Sequence, residues 1–157
     1  MMTYTTAVAR SEYRAALVRW IADFKPSLYV TFVFNSPISP RSAKDRLDAF
    51  HARMDRTLLG PKWQAKPEDR ARFIGFVEKA ETNIHVHAVF DLPTKQDRIF
   101  VEKAPSIWKE LAPAGNIDIQ TVTYAEGVAD YITKEIRPDT CEQMLLPRHQ
   151  CAAPTAA

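Results

Sequence analysis

Two histidines at i and i+2, His85 and His87, sit in the apolar run Asn83-Ile84-His85-Val86-His87-Ala88-Val89-Phe90. Its β-branched and aromatic content reads as a strand, and period-2 alternation then puts both imidazoles on one face, with Ile84, Val86 and Ala88 on the other. Two neutral imidazoles side by side on a rigid surface make half of a divalent-metal site. A bare His-x-His is equally the mark of two core or surface histidines, so the neighbouring residues decide. Glu78 lies seven residues before His85, at the end of the preceding apolar stretch. Folded back as a hairpin, that stretch brings the Glu78 carboxylate toward both imidazoles as a third ligand. Such a set, with positions left for oxygen ligands, suits Mg²⁺ or Mn²⁺ engaged with a phosphate and would also accept Zn²⁺. Glu81 is the rival carboxylate, but its place in the turn reads as solvated.

A second constellation is Ala129-Asp130-Tyr131-Ile132-Thr133-Lys134-Glu135, in which Tyr131 and Lys134 stand at i and i+3 on one helical face. A phenol titrates at about pH 10 and is a poor nucleophile at neutral pH unless charge or metal activates it or its target. A neighbouring ammonium and a metal-polarised phosphate would together do that. Taken alone, Tyr-x-x-Lys on a helix is ordinarily half-buried packing.

These residues need a scaffold, and the patterning supplies one. Residues 7–24 carry Tyr13, Ala16, Leu17, Trp20, Ile21 and Phe24 at helical spacing, closed by Lys25-Pro26. Residues 28–35 are almost wholly β-branched or aromatic and read as a central strand. Ser39-Pro40 opens a second helix with Ala43, Leu47, Phe50 and Met54 inside, ending near Gly60-Pro61. Its outer face mixes Arg41, Lys44, Arg46, Arg53 and Arg56 with Asp45, Asp48 and Asp55, a solvated pattern of i,i+3 and i,i+4 ion pairs. Residues 72–79 and 84–92 are strands close enough to pair as an antiparallel hairpin. A short helix at 107–111, a strand at 116–123 and a helix at 125–136 follow, and pattern is lost beyond Pro138. The consistent account is one α+β domain on an antiparallel sheet over residues 1–140, with 141–157 a flexible C-terminal tail.

Composition sets bounds without choosing a partner. A net charge of +2 permits nucleic acid but does not argue for it. No apolar run approaches the roughly 20 residues that cross a bilayer, and the N-terminus lacks a signal-peptide pattern. Cys141 and Cys151 are too far apart for a Cys-x-x-Cys knuckle, and with no disulfide framework the expected compartment is cytoplasmic. Only four glycines are present and no Walker A sequence, which excludes a P-loop motor.

In their order, the pieces resemble the HUH endonucleases, in particular the rolling-circle replication initiators. The family's apolar first motif is matched by Tyr29-Val30-Thr31-Phe32-Val33-Phe34-Asn35, its His-hydrophobic-His by His85-Val86-His87 with Glu78 upstream, and its helical Tyr-x-x-Lys by Tyr131 to Lys134. The resemblance spans residues 28–135. It implies a central antiparallel sheet of about five strands flanked by helices. Four strands are clear, so the fifth would come from residues 97–102 or from the N-terminus. It further implies a metal, Mg²⁺ or Mn²⁺, on Glu78, His85 and His87, and Tyr131 as a nucleophile that nicks single-stranded DNA at an origin or hairpin. The products would be a 5′-phosphotyrosyl link and a free 3′-hydroxyl, with Lys134 stabilising developing charge. The encoding element would be a plasmid, phage or transposon, and a host helicase would have to unwind the duplex, since no helicase domain is present. Many members carry a second tyrosine on the same helix; here the nearest is Tyr124, before a Gly127 that should break the helix. Lys62, Trp63 and Lys66 form a basic, aromatic loop that is the candidate DNA-recognition element. Two other classes compete: a non-catalytic single-stranded DNA-binding module of the same fold, and a His-x-His phosphoesterase. The histidine-triad variant of the latter needs a third histidine where Val89 stands.

Overall fold

Alternation in the strands sets the layers. The computed structural model of the protein describes residues 4–78, 83–134, 136 and 143–150. Within these, strands β1 (Leu28–Val33), β2 (Arg72–Glu78), β3 (His85–Asp91), β4 (Asn116–Thr121) and β5 (Met144–Leu145) form one antiparallel sheet in the order β4-β1-β3-β2-β5. Four helices flank it: α1 (Tyr4–Phe24), α2 (Pro40–Leu59), α3 (Asp97–Leu111) and α4 (Ala125–Ile132). The fold class is α+β, as the sequence predicts.

Odd and even strand positions feed two separate cores. Val30 and Phe32 of β1, Phe73 and Val77 of β2, and Val86, Ala88 and Phe90 of β3 turn toward α2 and α3. There Trp108 meets Phe32 and Phe34 edge-on at 4.8 and 5.0 Å between ring centres, and its indole donates to the Val33 carbonyl at 3.2 Å. The opposite face joins Ile74, Phe76 and Val89 to Leu17 and Ile21 of α1 and to Ala129 and Ile132 of α4. Helix α2 is delimited as its sequence dictates. The Ser39 hydroxyl accepts from the Ser42 N–H at 3.1 Å, a cap that contributes about 1 kcal/mol, and Gly60 takes φ 84° at the other end.

Several expectations are corrected. Residues 97–102 are helical and the N-terminal segment is α1, so neither supplies the fifth strand; Met144 and Leu145 do, opposite Phe76 and Gly75. These two residues lie inside the segment read as a tail from 141, because a two-residue strand is too short to show a period. Helix α3 begins ten residues before the expected Ile107 and contains Pro105. An internal proline costs about 3 kcal/mol, but Phe100, Ala104 and Trp108, spaced by one turn, are all fully buried and offset it. Trp20 belongs to no inner stripe, being 40% exposed, whereas Asp55, assigned to the solvated face of α2, is completely buried. No helix among the described residues is long and apolar enough to cross a membrane.

Candidate metal centre

Strand β3 is hydrogen-bonded on both sides, by β1 and β2, so its histidines stand on the most constrained backbone of the sheet. In the β2–β3 register Glu78 is directly opposite His85, and Phe76 is opposite His87. Directly opposed residues share a face, which puts the carboxylate beside both imidazoles, as the hairpin reading predicts. One donor atom from each of Glu78, His85 and His87 lies within 4.8 Å of the other two. Glu78 Oε2 is 2.5 Å from His87 Nε2, and the two imidazoles are 6.2 Å apart between ring centres. Glu78 and His85 are half-buried and His87 is buried.

The donor set fits a divalent ion. Two nitrogens and an anionic oxygen, drawn to a common centre, are ligands that Mn²⁺, Mg²⁺ or Zn²⁺ accept. The adjoining crevice, about 20 Å³ and lined by Glu78, His87, Tyr131 and Lys134 among others, has room for one water-sized body. His87 is also supported from behind. Its Nδ1 is 2.8 Å from the Tyr29 hydroxyl and 3.3 Å from Thr31 Oγ1. A hydroxyl both donates and accepts, so Nδ1 keeps a partner whether Nε2 carries a proton toward Glu78 or turns its lone pair to a metal. Burial, above all, raises the pKa of Tyr29, with Tyr131, Glu78 and Asp118 adding to the rise against the opposing Thr31 hydrogen bond. Tyr29 therefore remains a neutral phenol.

Tyr29 and Thr31 are functional neighbours that the sequence reading missed. A signal existed, since β1 alternates Leu28, Val30 and Phe32 inward with Tyr29, Thr31 and Val33 outward, and only the outward set bears hydroxyls. Their meeting with His87 depends on the pairing of β1 with β3, a long-range register that no local pattern fixes.

Helix α4 brings the second constellation to the same place. Arg14 of α1 ties it down, donating to the Asp130 carbonyl at 2.8 Å and its carboxylate at 3.0 Å. The Tyr131 ring, 52% exposed, stands edge-on to His87 with 6.3 Å between ring centres. Lys134 Nζ is 4.2 Å from the centre of the Tyr131 ring and 4.0 Å from Glu78 Oε1. The expected reason for this proximity is corrected, because α4 ends at Ile132 and Lys134 lies beyond it. The Thr133 hydroxyl donates to Ala129 O at 2.7 Å, and the Lys134 N–H reaches Tyr131 O at 3.4 Å, so a tight closing turn folds Lys134 over the ring. Gly127 does not break the helix either: it lies in the first turn of α4, with Tyr124 at the N-cap.

The proposed recognition loop is elsewhere. Lys62, Trp63 and Lys66 follow α2 and precede the start of β2, whereas Glu78 ends that strand. The seven residues of β2 span about 20 Å. Lys66 donates to the Leu59 carbonyl at 3.3 Å and Arg70 stacks 4.7 Å from the Trp63 ring centre, contacts that close the end of α2. Glu81, the rival ligand, and Glu135, Cys141 and Cys151 fall outside the described residues.

An α+β fold on a five-stranded antiparallel sheet, with this Glu-His-His cluster, is compatible with an HUH motif. Comparison with known proteins finds no matching family model, no matching curated protein and no matching solved structure.

Proposed function

We propose that this protein nicks and rejoins single-stranded DNA, with Tyr131 as nucleophile and Glu78, His85 and His87 as the ligands of a divalent ion. The observation that carries this reading is the half-exposed phenol of Tyr131 set against His87, with one ammonium, Lys134, close to both the ring and Glu78. A half-exposed phenol beside imidazole, carboxylate and ammonium has surroundings that suit attack on a phosphodiester. The Tyr131 oxygen bonds to phosphorus as the bond from phosphorus to the 3′ oxygen breaks. The phenol gives up its proton and the departing oxygen takes one, leaving a 5′-phosphotyrosyl end and a 3′-hydroxyl. Lys134 offsets the negative charge gathering on the phenolate and phosphate. A bound divalent ion would supply Lewis-acid polarisation of the phosphate oxygens. Tyr29 and Thr31 hold the His87 ring at a fixed angle. The order of the motifs, resembling rolling-circle initiators, supports single-stranded DNA as substrate and a plasmid, phage or transposon as its source.

The test is a pool of single-stranded oligonucleotides incubated with the protein and Mn²⁺, then denatured. The expected result is a covalent protein–DNA adduct that chelator prevents. Binding without adduct would make the protein a DNA-binding module, and metal-independent hydrolysis of small phosphoesters would make it a phosphoesterase.

A further inference from the structure

Next to the Glu-His-His cluster lies an open cleft of about 640 Å³, lined by Tyr29, Thr31, Gln120, Tyr124, Gly127 and Tyr131 among others. That volume is in the range of small-molecule sites. Its wall and rim have particular chemistry.

Tyr124 forms the wall. Its ring is 63% exposed, and its hydroxyl donates to Glu126 at 3.2 Å. The ring lies against Gly127, where any Cβ would come within 2.6 Å of Tyr124 Cδ1. Glycine in a helix is less stable than alanine, so α4 carries a weakening residue at the position that seats this exposed ring. A flat aromatic fixed at the edge of a cleft is a platform on which a base can stack.

Gln120 lines the cleft, and Asp118 stands beside it, two residues away on the same strand. Both belong to β4, and they lie opposite Tyr29 and Thr31 on the site face. Gln120 Nε2 donates to Asp118 Oδ2 at 2.9 Å. A carboxylate only accepts, which fixes the amide orientation and leaves Oε1 as the edge that Gln120 offers. Gln120 Oε1 and the Asp118 carboxylate then present neighbouring acceptors. The Asp118 charge disfavours a phosphate beside β4, so a base rather than backbone suits that side of the cleft, away from Tyr131. Among the four bases, guanine alone has two adjacent donors, N1–H and the N2 amino group, on its Watson–Crick edge.

Resting on the nicking function proposed above, we propose that this cleft is a nucleobase subsite. A guanine adjoining the scissile phosphate stacks on Tyr124 and donates to Gln120 and Asp118.

Equilibrium binding tests this without any nicking. Thymidine hexamers carrying one dG, dA or dC are titrated against the full chain by fluorescence anisotropy. The dG oligomer should bind about 5- to 100-fold tighter than the others, the range of a two-bond base contact. Tyr124→Ala should weaken it about 5- to 100-fold, the range of one lost stacking partner, and Tyr124→Phe should restore it. Gly127→Ala should weaken binding while leaving the melting temperature as high or higher, because its Cβ displaces only an exposed ring. Asp118→Ala frees the Gln120 amide to turn, and the preference for dG should relax. Preferential dG binding with no adduct would uphold the subsite and remove the nicking function. Equal binding of all hexamers, or a dG preference indifferent to Tyr124 and Asp118, would overturn the subsite even where the adduct forms.

Discussion

Asp55 and Glu78 each pair with a histidine, on opposite faces of one sheet, and they differ in burial and in the groups set beside the carboxylate. Asp55, fully buried on α2, accepts from Arg70 Nε at 2.7 Å and from the Ala71 N–H at 2.9 Å, with His51 Nε2 at 3.1 Å. His51 Nε2 also reaches the Ala71 carbonyl at 2.6 Å, and its Nδ1 faces Arg70 Nη2 at 3.3 Å. Burial lowers the pKa of His51, in keeping with a neutral ring that donates from Nε2 and accepts at Nδ1. This network joins α2 to the start of β2, and protein donors saturate it. At Glu78 the side chain keeps 16% exposure, with His87 Nε2 at 2.5 Å and Lys134 Nζ at 4.0 Å. A carboxylate–histidine pair is thus a structural clamp where a buried arginine and a backbone N–H complete it, and part of a candidate metal centre where a second imidazole joins it.

That contrast is broken most sharply by deleting one member on each side. His87→Ala should eliminate both Mn²⁺ binding, followed by calorimetric titration, and adduct formation, while thermal unfolding stays cooperative. Asp55→Ala should do the reverse. It strands the Arg70 guanidinium and the Ala71 N–H in the interior, and breaking such a buried pair costs about 3–5 kcal/mol of stability, readable by urea denaturation. Mn²⁺ should still bind to the folded fraction. A smaller effect belongs to Lys134, whose ammonium reaches the site from a turn rather than from the helix. Lys134→Ala should slow adduct formation about 10- to 1000-fold, the loss of one charge-stabilising donor. A rate within about twofold of wild type, at saturating DNA, would return Lys134 to the solvated surface.

The smallest effect concerns the clamp. His149 stacks on His51 at 5.6 Å between ring centres, and burial, with Arg70 and His51 adding, lowers its pKa to about 4. The unfolded chain therefore binds a proton that the folded chain declines between about pH 6.5 and that value. Stability is full above that window and falls as pH drops through it, to a degree that partial exposure of the ring reduces. Denaturation midpoints at pH 7 and 4.5 should differ less in His149→Gln than in wild type.

What the sequence made legible was local or periodic. Alternation around His85 and His87 gave the strand, its face and, through a short hairpin, the Glu78 partner. Ser39 and Gly60 marked α2 by cap chemistry. The rest depended on distant pairing or on packing that overrides a local rule. Asp55 reads as a surface acid until Arg70 and Ala71 fold over it. Only the end of α3, at 107–111, reads as helix, because what holds the rest is the burial of Phe100 and Ala104 in line with Trp108. Met144 and Leu145 form a strand only because the free edge of β2 is there to receive them. Lys134 reaches Tyr131, as its spacing predicts, but through a turn closed by Thr133 rather than along a helix.

The proposed role of Tyr131 is read directly from where the nucleotide becomes attached. In the adduct formed with single-stranded DNA and Mn²⁺, proteolysis followed by peptide mass spectrometry locates the nucleotide. The mass should sit on the peptide containing Tyr131, no adduct should form in Tyr131→Phe although DNA still binds, and the adduct should still form in Tyr124→Phe. A nucleotide on Tyr124, or an adduct persisting in Tyr131→Phe, would contradict the assignment.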